Sequence, residues 1–424
     1  MTGADLPGPG APGPPDRGES PFRPLSPEFA EDPYAAYAAL RRIEGLFFFA
    51  DFDVWMASRF GDVSAIVMDP RMVRSLDGIA TAEELAARRR AGNWHDMPHH
   101  SRFVQFSLLD SDGEVHGRLR RLVLKLFAPA AVARLRDHAQ ALVDRLLAGV
   151  ADRGGFDFVE DFAAHVPGHV IGRVLGAPDA DCASLRAWSE NIVRFFDIDR
   201  SDELKRIAEA DTAAFYAYLT ALKRERERDP KDDLVSALIE AERAGSLDAD
   251  EFISTCMLIL MAGHGSTVDA LGSGLHALLR FPDQMARLRS RPDLLRTAIQ
   301  EMFRFEAPLP FFHRYCAEDV VFKGVRFPRG TKFGLLYGSA NRDPEAFPEP
   351  DAFDVGRVPN RHLGFGGGAH FCLGNHLARQ TMEVIFGTLL SRFSSIELAG
   401  DAPEYKRGLS VRGPKVLRIA VKEA

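Results

Sequence analysis

A mainly α-helical protein with small β-sheets, folded as one large domain, is what this sequence predicts. Three observations carry that expectation. Apolar residues recur three or four apart through most of the chain. Stretches with strand character are short and scattered. A chain of 424 residues, 46% hydrophobic and 27% charged, supplies a sizeable core.

The helical spacing covers residues 35–42, 132–150, 207–228, 233–244, 251–279, 292–305 and 373–393. Residues 46–49 and 54–57 predict a hairpin turning at Asp51–Asp53. Residues 320–322 and 325–327 flank Lys323-Gly324, a second turn, and Pro328-Arg329-Gly330 is a third. The Pro- and Gly-rich start predicts a disordered tail over residues 1–24, followed by one domain over residues 25–424. From 341 to 368 the chain is irregular, and long irregular segments inside compact proteins usually carry function.

Composition excludes several classes. A net charge of −7 gives no reason to expect nucleic acid. Cys182, Cys256, Cys316 and Cys372 form no C-x-x-C pair, which fits a reducing compartment better than a disulfide scaffold. The N-terminus lacks the apolar core of a signal peptide, and no apolar run approaches the ~20 residues needed to cross a bilayer. A cytoplasmic protein without membrane attachment is expected.

The most specific motif is Phe365-Gly366-Gly367-Gly368-Ala369-His370-Phe371-Cys372-Leu373-Gly374, which runs into a helical pattern. The start of that helix should favour an anion and lower the thiol pKa. Three consecutive glycines permit positive φ and close approach of backbone to a flat cofactor. An isolated cysteine after a flexible loop would read as a buried structural residue. Zinc held by His370, Cys372 and His376 lacks a fourth ligand at useful spacing. The loose dinucleotide fingerprint Gly364-x-Gly366-x-x-Ala369 lacks the buried strand that should precede it.

The ten residues, with Leu377-Ala378-Arg379 after them, resemble the haem-binding signature of the cytochrome P450 family in its soluble bacterial form. The resemblance extends from about Asp32 to the C-terminus. It implies the single-domain P450 fold, haem b buried between two long helices, and iron bound by the Cys372 thiolate. It further implies a monooxygenase that inserts one atom of O2 into a small apolar substrate. No flavin or ferredoxin segment is appended, so ferredoxin and ferredoxin reductase are expected as separate chains.

The resemblance assigns further residues. Glu301-x-x-Arg304 pairs on one helix face and, with Arg357, matches the family's buried triad. His116 and Arg120, four apart on a helix, with Arg314 and His370, correspond to partners of the haem propionates. Ala262-Gly263-His264-Gly265-Ser266-Thr267 resembles the oxygen-binding groove. The usual acid–Thr pair is replaced there by Gly265-Ser266, which leaves Ser266 and Thr267 as the candidate catalytic hydroxyls; His264 should point away from the haem. The substitution also opens a reading as a peroxide-using or atypical oxidase, and a non-catalytic haem sensor is a remoter alternative. Pocket walls are expected, by analogy, from Phe103, Phe106, Phe195, Phe196, Ala262, Phe311 and Phe312, and from around Leu409–Val411. With 31 Phe against 7 Tyr and 3 Trp, an aromatic or polycyclic substrate is expected. A basic cluster of Arg88, Arg89, Arg90, His95, His99, His100 and Arg102 could instead anchor a carboxylate. On the helix carrying His116, residues Arg118, Arg121 and Lys125 should form an outward stripe for an acidic redox partner.

Overall fold

A computed structural model describes residues 22–43, 45–197 and 200–424. It is a helical domain with a five-stranded sheet at one side and two smaller sheets. The first 21 residues of the expected tail lie outside the described residues. Phe22, within the span expected as tail, is 2% exposed and edge-on to Phe29 and Phe49.

The elements that position the site are few. Strands β1 (Phe47–Phe49) and β2 (Val54–Ala57) form the expected hairpin, pairing Phe47 with Met56, and Asp53 takes φ 48° in the turn. Then come α1 (Phe60–Met68), β3 (Met72–Val73), α2 (Ala82–Ala91), α3 (Pro98–Gln105) and α4 (Gly113–Leu124). Next are α5 (Val166–Leu175), α6 (Cys182–Phe195), α7 (Asp202–Arg228) and α8 (Ala249–Arg280). Finally α9 (Leu295–Phe305), β4 (Phe311–Cys316), β5 (Lys332–Leu336) and α10 (Asn375–Arg392) complete the frame. The sheet order is β1-β2-β5-β4-β3, with β2 and β5 parallel and β4 and β5 antiparallel. The short hairpin at Lys323-Gly324 is also present, pairing Val320–Phe322 with Val325–Phe327.

Helix α8 is 32 residues long and starts at a capping box, in which Asp248 accepts from the N–H of Asp250 and Glu251 while Glu251 reaches back to Asp248. It is buried along most of its length, and α5, α6, α9 and α10 pack around it in the largest apolar cluster. Helix α10 follows directly on the cysteine loop and packs against α8. The expected helix over 132–150 is broken into Pro129–Ala133 and Arg136–Val150. The one expected over 292–305 opens with a short tight turn, Pro292–Leu294.

Candidate active site

Cys372 sits in the loop between the turn Gly368–His370 and α10, three residues before that helix begins. Its N–H donates to the Phe365 carbonyl at 3.0 Å, and Asn375 Nδ2 donates to its own carbonyl at 2.8 Å, so the loop is closed on both sides of the thiol. Gly366 and Gly368 have φ of 68° and 65°. A Cβ on Gly368 would lie 2.5 Å from the Val67 carbonyl, so glycine here lets the loop lie against α1.

The charge on the sulfur differs from the sequence expectation. Burial pushes the Cys372 thiol up; the Gly374 N–H and the charges of Arg120 and Arg379 oppose it without reversing it. A bound cation is what would hold this sulfur as thiolate. Arg120 reaches the same loop, its guanidinium donating to the Phe371 carbonyl at 2.6 Å.

One turn back on the same face of α4 lies a histidine pair. The rings of His116 and His370 are 4.2 Å apart, and His370 Nε2 meets Asp112 Oδ1 at 3.1 Å. Asp112 also accepts the N–H of Arg74 and Ser75, both at 2.8 Å. Burial, then the charges of His370 and Arg120, push His116 down to about 4, so at neutral pH it is an uncharged donor. Arg314 is 3% exposed and makes no ion pair among the described residues; it donates to the His313 carbonyl at 2.9 Å. Burial lowers it to about 10, which leaves it cationic. A buried guanidinium without a carboxylate is costly unless an anion completes it.

Above the loop, α8 changes character. Its neighbours along the helix are buried, yet Ala262 is exposed and Gly263, Gly265 and Ser266 are half-buried. A Cβ added to Gly265 would meet nothing within 4 Å. His264 turns away, with Nε2 3.1 Å from the Ala164 carbonyl and its ring against Gly168 of α5. Ser266 Oγ donates back to the Ala262 carbonyl at 3.0 Å. Thr267 is buried and directed at the Gly263 carbonyl, 3.5 Å away. At about 100° per residue Thr267 lies off the face shared by Ala262 and Ser266, so only Ser266 presents a hydroxyl on that face.

The structure brings Glu301, Arg304 and Arg357 together. Arg304 grips Glu301 with two bonds of 2.7 Å, and Arg357 Nε donates to Glu301 Oε1 at 3.0 Å. The Asp354 N–H and Asn360 Nδ2 fill the remaining carboxylate positions. Arg304 spends its other N–H groups on the carbonyls of Asn341, Pro350 and Ala352, pinning the irregular segment to α9.

The phenylalanines divide. Phe103 and Phe196 are 6.5 Å apart, and Phe195 and Phe196 both pack on Trp94. Phe106 ends α3 half-buried. Phe312 lies under the Arg74 guanidinium and beside Tyr337. Phe311, on the opposite strand face, packs into the cluster of Phe22 and Phe47 and is not part of the group around Phe196. Two residues escaped the sequence reading. Asp112, four before His116, is legible as a helix-capping position; the buried Arg74, paired with Asp110 at 2.6 Å, had no sequence signal.

A soft sulfur alone in its loop, with no second ligand beside it, suits a metal that brings its own equatorial donors. The open face at Ala262 and Gly265 and the uncompensated Arg314 fit a flat, dianionic group lying between α8 and the loop. These are the marks of a haem-thiolate protein. The Cytochrome P450 family model matches residues 48–419, and the chain belongs to the cytochrome P450 family, whose members are haem b monooxygenases. The polyketide biosynthesis cytochrome P450 PksS of Bacillus subtilis (strain 168) is 32% identical over 410 residues, 94% of this chain and 98% of that one. The structure of P450BioI in complex with hexadec-9Z-enoic acid ligated acyl carrier protein has a TM-score of 0.86 at 30% identity, covering 93% of this chain and 100% of that one. A myxobacterial P450 in complex with myristic acid also has a TM-score of 0.86, at 34% identity over 94% of this chain and 99% of that one. Among the described residues no helix is long and apolar enough to cross a membrane.

Proposed function

We propose that this chain is a cytoplasmic monooxygenase that oxidises a small apolar substrate, aromatic or polycyclic in body, with electrons from a separate ferredoxin and reductase. The observation that carries the reading is the open stretch of α8 at Ala262–Ser266, in a helix that packs on α10 and α3, together with the aromatic cluster of Phe103, Phe196 and Trp94. Haem, when bound, supplies dioxygen activation, which no side chain can perform. His116, Arg120, Arg314 and His370 would hold its propionates, and Cys372 its iron. The chain's own work is to exclude water, orient the substrate and deliver protons. A screen of apolar ligands by Soret shift, followed by reductant and oxygen consumption with each binder, tests it. Binding without substrate-dependent consumption counts against it.

Proton delivery is where a second reading has support. With Gly265 in the acid position, the Ser266 hydroxyl is the remaining polar side chain on the open face. Ser266→Ala is expected to raise the fraction of reductant lost to hydrogen peroxide several-fold, while haem content and substrate affinity stay near wild type. Peroxide-driven turnover should change less, because peroxide brings its own protons. Unchanged coupling in the reductase-driven reaction would favour peroxide use or another proton source.

Electron delivery calls for a basic surface near the Cys372 loop. Arg118 is withdrawn from the expected stripe: it donates to the Ser246 carbonyl and binds Glu251 at 2.5 and 2.8 Å, tying α4 to the start of α8. Arg121 and Lys125 stay exposed, next to Leu124, and Phe371 of the cysteine loop is exposed as well. Arg121→Glu with Lys125→Glu is expected to slow reduction by an acidic ferredoxin about tenfold at low salt, the difference shrinking at high salt. Rates indifferent to both would move the docking surface elsewhere.

A further inference from the structure

The β4–β5 pair places Tyr315 opposite Lys332 and His313 opposite Gly334, so His313, Tyr315 and Lys332 share one face of the sheet. Arg314 and Phe312 take the other face. The shared face is half-buried. The charge of Arg200, in the connection between α6 and α7, bears on Tyr315, His313 and Lys332, and its guanidinium lies 4.8 Å from the Trp94 ring. It donates to the carbonyls of Phe195 and Gly92 at 3.3 and 3.5 Å and finds no ion-pair partner among the described residues. The Lys332 ammonium, on a residue whose backbone pairs in the ladder, likewise has no side-chain hydrogen bond or ion pair among the described residues.

The charges around this face are mostly of one sign. Burial and then Arg200, Arg74 and Arg88 push Lys332 down to about 8, with Asp53 alone opposing. Burial and the cations Arg74, Lys332, Arg314 and Arg200 hold His313 well below the usual histidine range. The nearby acids are engaged: Asp110 binds Arg74, and Asp197 accepts the N–H of Leu409 and Ser410. Next to this group stands His100, wholly buried, with neither ring nitrogen hydrogen-bonded. Its ring is 5.1 Å from Trp94 and 5.2 Å from Phe196, and the charge of Arg200 bears on it. An unpartnered buried donor beside two unpaired cations is unfavourable without an external acceptor.

We infer that Arg200 and Lys332, assisted by the neutral donors His100 and His313, form a subsite for a carboxylate at one end of an otherwise apolar substrate. The inference rests on the monooxygenase reading and names the substrate class for it: an amphiphile whose apolar body runs along Phe196 and Phe103. Charge-assisted bonds to Arg and Lys are the strong ones, so the acid end fixes which carbon reaches the open face of α8.

The test uses holoprotein and three probes of one aromatic skeleton: 4-(naphthalen-2-yl)butanoic acid, its methyl ester and 4-(naphthalen-2-yl)butan-1-ol. Affinity is read from the Soret shift and from thermal stabilisation at pH 7.5. Wild type is expected to bind the acid at least tenfold more tightly than either neutral probe. Arg200→Gln and Lys332→Gln should each weaken the acid about tenfold, as loss of one charge-assisted bond implies, and leave the alcohol unchanged. Equal affinity for all three probes, no binding by any, or wild-type acid affinity in the double variant overturns the subsite. The ferrous–carbon monoxide spectrum is recorded alongside. A normal thiolate band with no acid preference removes the subsite alone, whereas an absent band removes the monooxygenase reading with it.

Discussion

Replacing Cys372 with His abolishes the strongly red-shifted Soret band of the ferrous–carbon monoxide complex, even where haem stays bound. That band reports a thiolate ligand. Cys182, Cys256 and Cys316 are buried thiols, and burial raises each of them, to about 11 in Cys182 and about 12 in Cys316. Cys372 differs by having the Gly374 N–H and two guanidinium charges directed at its sulfur. A surviving red-shifted band in Cys372→His would mean that another residue binds the iron.

The second large effect is expected at Glu301. Its carboxylate is wholly buried and bound to Arg304, Arg357, Asn360 and the Asp354 backbone. Glu301→Ala leaves a buried guanidinium uncompensated, a loss of about 3–5 kcal/mol. Against a typical total of about 5–15 kcal/mol, that removes much of the folded state's margin. The variant should show a sharply lowered urea midpoint and poor haem retention, because the segment held by Arg304 leads to the cysteine loop. Glu301→Gln, which keeps acceptor and shape, should lose less. A wild-type midpoint and haem content in Glu301→Ala would show that the loop is held by other contacts.

What the sequence revealed, and what it hid, follows from the range of the signals. Local signals survived translation into structure. The hairpin turn at Asp51–Asp53 and the apolar periodicity of α8 both act within a few residues. Helix α5 was missed because Gly168 and Gly172 weaken its pattern, each costing about 1 kcal/mol relative to Ala. Their reason is tertiary: a Cβ on Gly168 would press on His264, and one on Gly172 would sit 3.2 Å from Cys182 Sγ. The cysteine loop was legible as a motif, yet the position of its glycines against the Val67 carbonyl was not, since Val67 lies some 300 residues earlier. Arg118 looked like a surface residue until its partner Glu251 came into view, 133 positions away. The basic residues near Arg88 carried a hint of an anion site, while its best candidates, Arg200 and Lys332, meet only through the sheet and the α6–α7 connection.

The central claim is that oxygen from O2 enters an organic substrate at the Cys372 site. It is tested most directly by turnover under 18O2 with ferredoxin and reductase, using a ligand chosen for its Soret shift. The product should gain one labelled atom per molecule, and Cys372→His should form none. A product that takes its oxygen from labelled water, or forms equally well in Cys372→His, would contradict the account.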